Sequence, residues 1–172
     1  MLVDDIGDIN ITNDGATILR QLDVTHPAAK ILVELSNIQD QEVGDGTTSV
    51  VLLAAELLRL ANDLVKQKVH PTSIISGYNY AKKEACRYIR DTLTIPVNSL
   101  DSSTITKIAS TSLSSKVLHY QDEFFSKLVV DAVEAVQEVK EDGRLHHSIN
   151  SINILKAHGK SGLESELVRG FV

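Results

Sequence analysis

The sequence predicts a mainly α protein, with helices first and a smaller α/β part after them. Three observations carry this expectation. Apolar residues recur every three or four positions through most of the 172 residues. Stretches that alternate polar and apolar residues are few and short. Aromatic residues make up only 4% of the chain, with no Trp, against 42% hydrophobic residues overall. Ile, Leu, Val and Ala on packed helices must therefore form the interior.

The elements follow in order. Asp8-Ile9-Asn10-Ile11-Thr12 alternates and reads as a short strand. Asn13-Asp14-Gly15 supplies a tight turn, and a second strand or short helix runs over 16–22. His26-Pro27 opens the first clear helix, with Pro where its missing N–H does no harm. Ala28, Ile31, Leu32, Leu35 and Ile38 form its stripe, and it ends before Gly44. The next helix starts within Thr47-Thr48-Ser49 and continues to about Lys68. Residues 50–55 are apolar all round, with Glu56, Arg59, Asp63 and Lys66 as one thin polar stripe, so it is expected to be buried on most sides.

His70-Pro71-Thr72-Ser73 breaks the chain and caps a third helix, where Ile74, Tyr78, Ala81, Ala85 and Tyr88 recur at helical spacing. The polar stretch 96–103 is the candidate domain boundary. A short helix is expected over 105–113 and another over 122–139, with Phe125, Leu128, Ala132, Val136 and Val139 on one face. Asp142-Gly143 reads as a turn and 149–155 as a strand. No internal repeat is visible.

A net charge of −6 argues against a nucleic-acid backbone or an anionic membrane as partner. The single cysteine, Cys86, excludes an internal disulfide and fits a reducing compartment; on its helix it reads as a half-buried structural thiol. The first residues lack the pattern of a secretory signal, and no apolar run is long enough to span a bilayer.

Chemistry concentrates at Gly44-Asp45-Gly46-Thr47-Thr48-Ser49, directly before a long apolar helix. A helix start presents unpaired N–H groups and partial positive charge, which favour an anion. Two glycines let the anion approach the backbone, and three hydroxyls can donate to it. An Asp here would repel a phosphate unless it holds Mg²⁺ between itself and the phosphate oxygens. An ordinary helix cap formed by Asp45 or Thr47 accounts for the same loop equally well. No Gly-Lys-Ser/Thr ends it, so it is not a Walker A loop.

Other candidates are weaker. Residues 8–19 alternate like a calcium loop at Asp8, Asn10 and Thr12, but Asn13 and Leu19 stand where Gly and Glu are needed. Asp14 reads as a turn residue; facing the phosphate loop, it could instead position an attacking water. The 6 histidines have no partner at metal-ligand spacing. Lys116 reads as a solvated lysine.

Taken together, three ordered motifs resemble a group II chaperonin: Ile11-Thr12-Asn13-Asp14-Gly15-Ala16-Thr17-Ile18-Leu19, His26-Pro27-Ala28-Ala29-Lys30, and Gln39-Asp40-Gln41-Glu42-Val43 leading into the phosphate loop. The likeness continues through His70-Pro71-Thr72, Thr111-Ser112-Leu113-Ser114-Ser115-Lys116 and Asn153-Ile154-Leu155-Lys156-Ala157-His158-Gly159-Lys160, and so covers essentially the whole chain. The resemblance implies a partial equatorial ATP-binding domain over 1–95, the first half of an α/β intermediate domain over 96–166, and the start of an apical segment over 167–172. It implies ATP and Mg²⁺ as cofactors, with Asp45 on the metal, Gly46, Thr47, Thr48 and Ser49 on the phosphates, and Asn13 beside the γ-phosphate. Asp14 would orient the hydrolytic water and Lys116 would sense the γ-phosphate.

The implied partners are other subunits in a hetero-oligomeric cytoplasmic double ring and unfolded clients such as actin and tubulin, without nucleic acid or membrane. Met1-Leu2-Val3 matches an internal point of the family pattern, just after a Gly-Pro-containing phosphate loop. A partial subunit is therefore expected, poorly stable and without ATPase activity on its own. The alternative expectation is a non-catalytic interaction fragment.

Overall fold

The computed structural model describes residues 1–3, 7–97, 100–141, 143–158 and 161–170, with the side chain of His119 left aside. Helices dominate, and the chain divides into two compact units, Met1–Ser99 and Leu100–Val172.

In the first unit, β1 (Leu2–Val3) pairs antiparallel with β2 (Ile9–Asn10), Leu2 opposite Asn10 and Val3 opposite Ile9. The stretch 16–22, open between strand and helix in the sequence, is helical as far as Gln21: α1 runs Gly15–Gln21. The Asn13-Asp14-Gly15 turn is its start, with Asp14 as N-cap accepting from Thr17 N. The extended backbone at Asp14 (φ −73°, ψ 124°) followed by Gly15 in the helix is the ordinary N-cap geometry.

Helix α2 (Pro27–Glu42) and helix α4 (Pro71–Tyr88) begin alike. Each has Pro in its first turn, and the preceding histidine accepts through Nδ1, His26 from Ala28 N at 3.2 Å and His70 from Thr72 N at 3.3 Å. Between them lies α3 (Thr47–Lys66). A π-helical turn, Ile89–Leu93, extends α4. Helix α3 packs against α2, α1 and α4. It is nonetheless not enclosed: Leu52, Leu53, Leu57, Leu58, Leu60, Leu64 and Val65 are exposed, and Thr47 is its one buried residue. The expectation of a helix buried on most sides fails because these neighbours cover only part of its wide apolar surface. Cys86, expected half-buried, is exposed on α4; α4 buries only Ile74 of its stripe.

In the second unit, α5 (Ser102–Ser114) packs against α6 (Asp122–Ala135). Asp101 precedes α5, and its carboxylate accepts from the Ser103 and Thr104 hydroxyls. These hydrogen bonds hold its pKa down at about 2. Helix α6 is shorter than its apolar periodicity suggests. After Val136 the chain turns extended, and β3 (Gln137–Val139) pairs antiparallel with β4 (Leu145–His147). Val139 therefore belongs to a strand, as do His146 and His147. Gly143, at φ 75°, sits in the connection, where a residue without Cβ takes the left-handed region freely; Asp142 lies outside the described residues. The strand expected over 149–155 does not form: Ile149–Ser151 is a 3-10 turn and the residues after it make no ladder. Val130 and Ser126 are the buried residues of α6.

Candidate functional site: facing helix starts in the first unit

The C-terminus of α2, the N-terminus of α3 and the N-terminus of α1 meet at one place. Helix α2 ends as Val43 N and Gly44 N both donate to Gln39 O, at 3.0 and 3.2 Å. Gly44 follows at φ 76° and Gly46 at φ 74°. Two left-handed residues in three explain why this loop needs glycines: a Cβ would strain both. Between them Asp45 is held from two sides. Its carbonyl accepts from Gln39 Nε2 at 2.9 Å, and its Oδ1 accepts from Gly46 N at 2.9 Å.

Helix α3 then starts from Gly46, which as N-cap residue has no side chain to offer the first-turn amides. Neither Asp45 nor Thr47 occupies that N-cap position. Thr47 points the other way. It is 2% exposed, its Oγ1 donates to Asp14 Oδ1 at 3.2 Å, and its carbonyl accepts from the Ser36 hydroxyl at 3.3 Å. Thr48 and Ser49 are exposed.

Asp14 is gripped from its own helix as well. Thr17 N and Thr17 Oγ1 donate to its Oδ2 at 2.9 and 2.7 Å, and Asp14 N donates to Thr12 Oγ1 at 3.1 Å. Contact between α1 and α3 is close enough to require Gly15. A Cβ there would stand 3.0 Å from Thr48 N and 3.1 Å from Thr47 Oγ1, and closer still to Thr48 Oγ1. Ala16 beside it is fully buried. Two helix starts, each with positive partial charge, thus face a common region with one carboxylate apiece.

Of the residues singled out in the sequence, Asp14, Asp45, Gly46, Thr47, Thr48 and Ser49 come together here. Asn13 is exposed beside Asp14. Lys116 belongs to the second unit, after the last turn of α5. Three participants escaped sequence reasoning. Thr17 had a usable signal, since Asp14-Gly15-Ala16-Thr17 reads as an N-cap spaced three residues from a polar partner. Ser36 showed only as a small polar residue within an apolar helix, and Gln39 gave no signal. Among the described residues, no group of three or more His, Cys, Asp or Glu is arranged to hold a metal ion. A cavity of about 460 Å³ lies in the second unit, beside Ala132, Ile152 and Leu167, and contains none of these residues.

In this mainly α chain, helix starts thus converge around a Gly-Asp-Gly loop. A sequence model of the TCP-1/cpn60 chaperonin family matches residues 1–172, and the chain belongs to that family. It is 58% identical over 172 residues to T-complex protein 1 subunit alpha of Tetrahymena pyriformis and 57% identical over 171 residues to that of Dictyostelium discoideum. It is 47% identical over 175 residues to thermosome subunit alpha of Aeropyrum pernix. These matches cover 99–100% of the chain but 31% of each relative, so the chain spans about a third of their length. Among the described residues, no helix is long and apolar enough to cross a membrane.

Proposed function

We propose that this chain supplies one wall of a Mg–ATP site in a cytoplasmic chaperonin ring, whose ATP hydrolysis drives the folding of unfolded clients. On this reading 1–95 is part of an equatorial domain, 96–166 the first half of an intermediate domain, and 167–172 leads into an apical segment. The observation that carries the reading is the hydrogen bond joining Asp14 to Thr47, which fixes two acidic helix starts against each other.

The residues fit a magnesium nucleotide. Gly46 leaves the first amides of α3 without an N-cap side chain, and Thr48 and Ser49 present hydroxyls beside them. Asp45 would be a single carboxylate on Mg²⁺, with phosphate oxygens and water as the remaining ligands. That suits an ion that keeps few protein ligands. Bound Mg²⁺ supplies charge neutralisation on the phosphates. Gly46, Thr47, Thr48 and Ser49 bind and orient the phosphate chain, with Asn13 beside its terminal group. Asp14 orients the attacking water as a hydrogen-bond acceptor. Lys116 is assigned to the γ-phosphate by resemblance alone.

A second reading, a non-catalytic fragment that associates through apolar surface, is favoured by the exposed leucines of α3. Steady-state ATPase assays separate the two. The 172-residue segment is placed in a full-length subunit of the family, in exchange for the matching stretch. Asp45→Ala is expected to weaken Mg–ATP binding about tenfold or more, about 1.4 kcal/mol. Asp14→Ala should slow turnover far more than it weakens binding. Equal Mg–ATP affinity with and without Asp45 removes the metal assignment. Turnover by the isolated, monomeric chain removes the second reading.

A further inference from the structure

We infer that Thr47 and Thr17 are positioning residues for Asp14, and that the Thr47 hydroxyl serves this carboxylate rather than a phosphate. The inference rests on the Mg–ATP reading above and sharpens the division of labour within its loop.

Three donors from two helices converge on Asp14. Thr17 N and Oγ1 bind Oδ2 at 2.9 and 2.7 Å, and Thr47 Oγ1 binds Oδ1 at 3.2 Å. With both oxygens engaged from different sides, the carboxylate plane is defined, and rotation about its last bond breaks at least one contact. Thr47 is itself fixed. It is 2% exposed, and the fully buried Ser36 donates to its carbonyl from α2 at 3.3 Å. Ser36, Thr47, Asp14 and Thr17 thus form one hydrogen-bonded path across α2, α3 and α1, buried at Ser36 and Thr47 and half-buried at Asp14 and Thr17.

A hydroxyl that donates to Asp14 has one proton, and that proton is committed. What Thr47 retains for a phosphate is its first-turn amide. Thr48 and Ser49 are exposed on the same turn, and the Thr48 hydroxyl lies against Gly15 without a bond to Asp14. The family resemblance treats these three residues alike; the geometry separates them. A residue that orients water must be held to within about 0.5 Å. Loss of either threonine hydroxyl therefore affects turnover rather than affinity.

The test uses the same full-length graft, measuring kcat and KM for Mg–ATP and, separately, Mg–ATP binding. Thr47→Val, close in shape but without the hydroxyl, is expected to lower kcat about tenfold with KM unchanged within about twofold. Thr47→Ser should restore kcat to within about twofold of the parent. Thr17→Val should lower kcat in the same sense; being only half-buried, it carries the test if Thr47→Val does not assemble. In an Asp14→Ala background neither valine should lower kcat further, because both act through that carboxylate. A Thr47→Val variant with KM raised about tenfold and kcat preserved assigns the hydroxyl to the phosphate and overturns the inference. So does a full additional loss of kcat on top of Asp14→Ala, the mark of a merely structural role. A parent graft that binds no Mg–ATP overturns the site reading itself.

Discussion

At its first residue α3 buries a threonine to 2% exposure, while from the second to the third turn further on Leu52, Leu53 and Leu58 are 65%, 62% and 59% exposed. Polarity and burial run opposite to their usual association along this one helix. The polar end is enclosed because its hydrogen bonds are made within the chain: Ser36 to Thr47, Thr47 to Asp14, Thr17 to Asp14. Unpaired, such groups would cost about 1–3 kcal/mol each to bury. The apolar end has no equivalent enclosure, and each exposed leucine forgoes part of the about 1.5–3 kcal/mol that full burial yields. Burial of polar groups in the first unit is therefore concentrated where the candidate site lies.

Two glycines give the largest expected contrast between these regions. At Gly15 an added methyl meets the α3 backbone and the Thr47 hydroxyl, so Gly15→Ala is expected to destabilise the first unit by about 1–3 kcal/mol, as overpacking does. Gly77 lies within α4 with nothing within 4 Å of a built Cβ. Gly77→Ala should stabilise by about 0.5–1 kcal/mol by restricting the unfolded chain. Urea unfolding of the two variants beside the parent checks both signs. Equal shifts would show that the α1–α3 contact is no tighter than an open helix surface.

A smaller effect on stability, but a clear one on association, is expected at the apolar end. Leu53→Glu with Leu58→Lys should leave the unfolding free energy within about 0.5 kcal/mol per substitution. Both variants should reduce concentration-dependent self-association, because each puts a charge among the exposed leucines of α3. Sedimentation velocity over a range of concentrations measures this. A loss of stability comparable with that of Gly15→Ala would mean these side chains are already packed, contrary to their exposure.

Much of this contrast could be read from the sequence, and the part that could not has physical reasons. The helix starts at Pro27 and Pro71 followed from local chemistry, since Pro and polar caps act within one turn, whereas that of α3 followed from the apolar run after its glycine loop. The Gly-Asp-Gly loop was conspicuous because left-handed backbone needs glycine at both positions. Its partnership with Asp14 spans 33 residues, and no periodicity reports a contact of that range. The exposure of α3 was misjudged because an all-round apolar helix records what its sequence can bury against, not what lies beside it. The end of α6 and the 149–155 segment were misread for a related reason. Val136, Val139 and the isoleucines there suit helix, strand and loop alike, and tertiary context decides among them, through the β3–β4 pairing at Val139.

The smallest expected effect concerns the polar stripe that α3 carries past its apolar face. Arg59 donates to Glu56 at 2.8 Å through Nε and at 2.6 Å through Nη2, and reaches Asp63 at 3.4 Å. The Arg59 hydrogen bond lowers the Glu56 pKa from the ordinary 4.5 and raises that of Arg59. Because the folded-state value of Glu56 is depressed, its contribution to stability is present in full above pH 4.5 and is lost as pH falls through the lowered value. All three side chains are solvent-exposed, so salt screens the pair and its entropic cost opposes it. Glu56→Gln should therefore leave the urea midpoint at neutral pH and moderate salt almost unchanged. The parent and variant curves should converge further as the pH is lowered through 4. A marked loss of stability on removing Glu56 would place this stripe, rather than the Asp14–Thr47 clasp, among the determinants of order in α3.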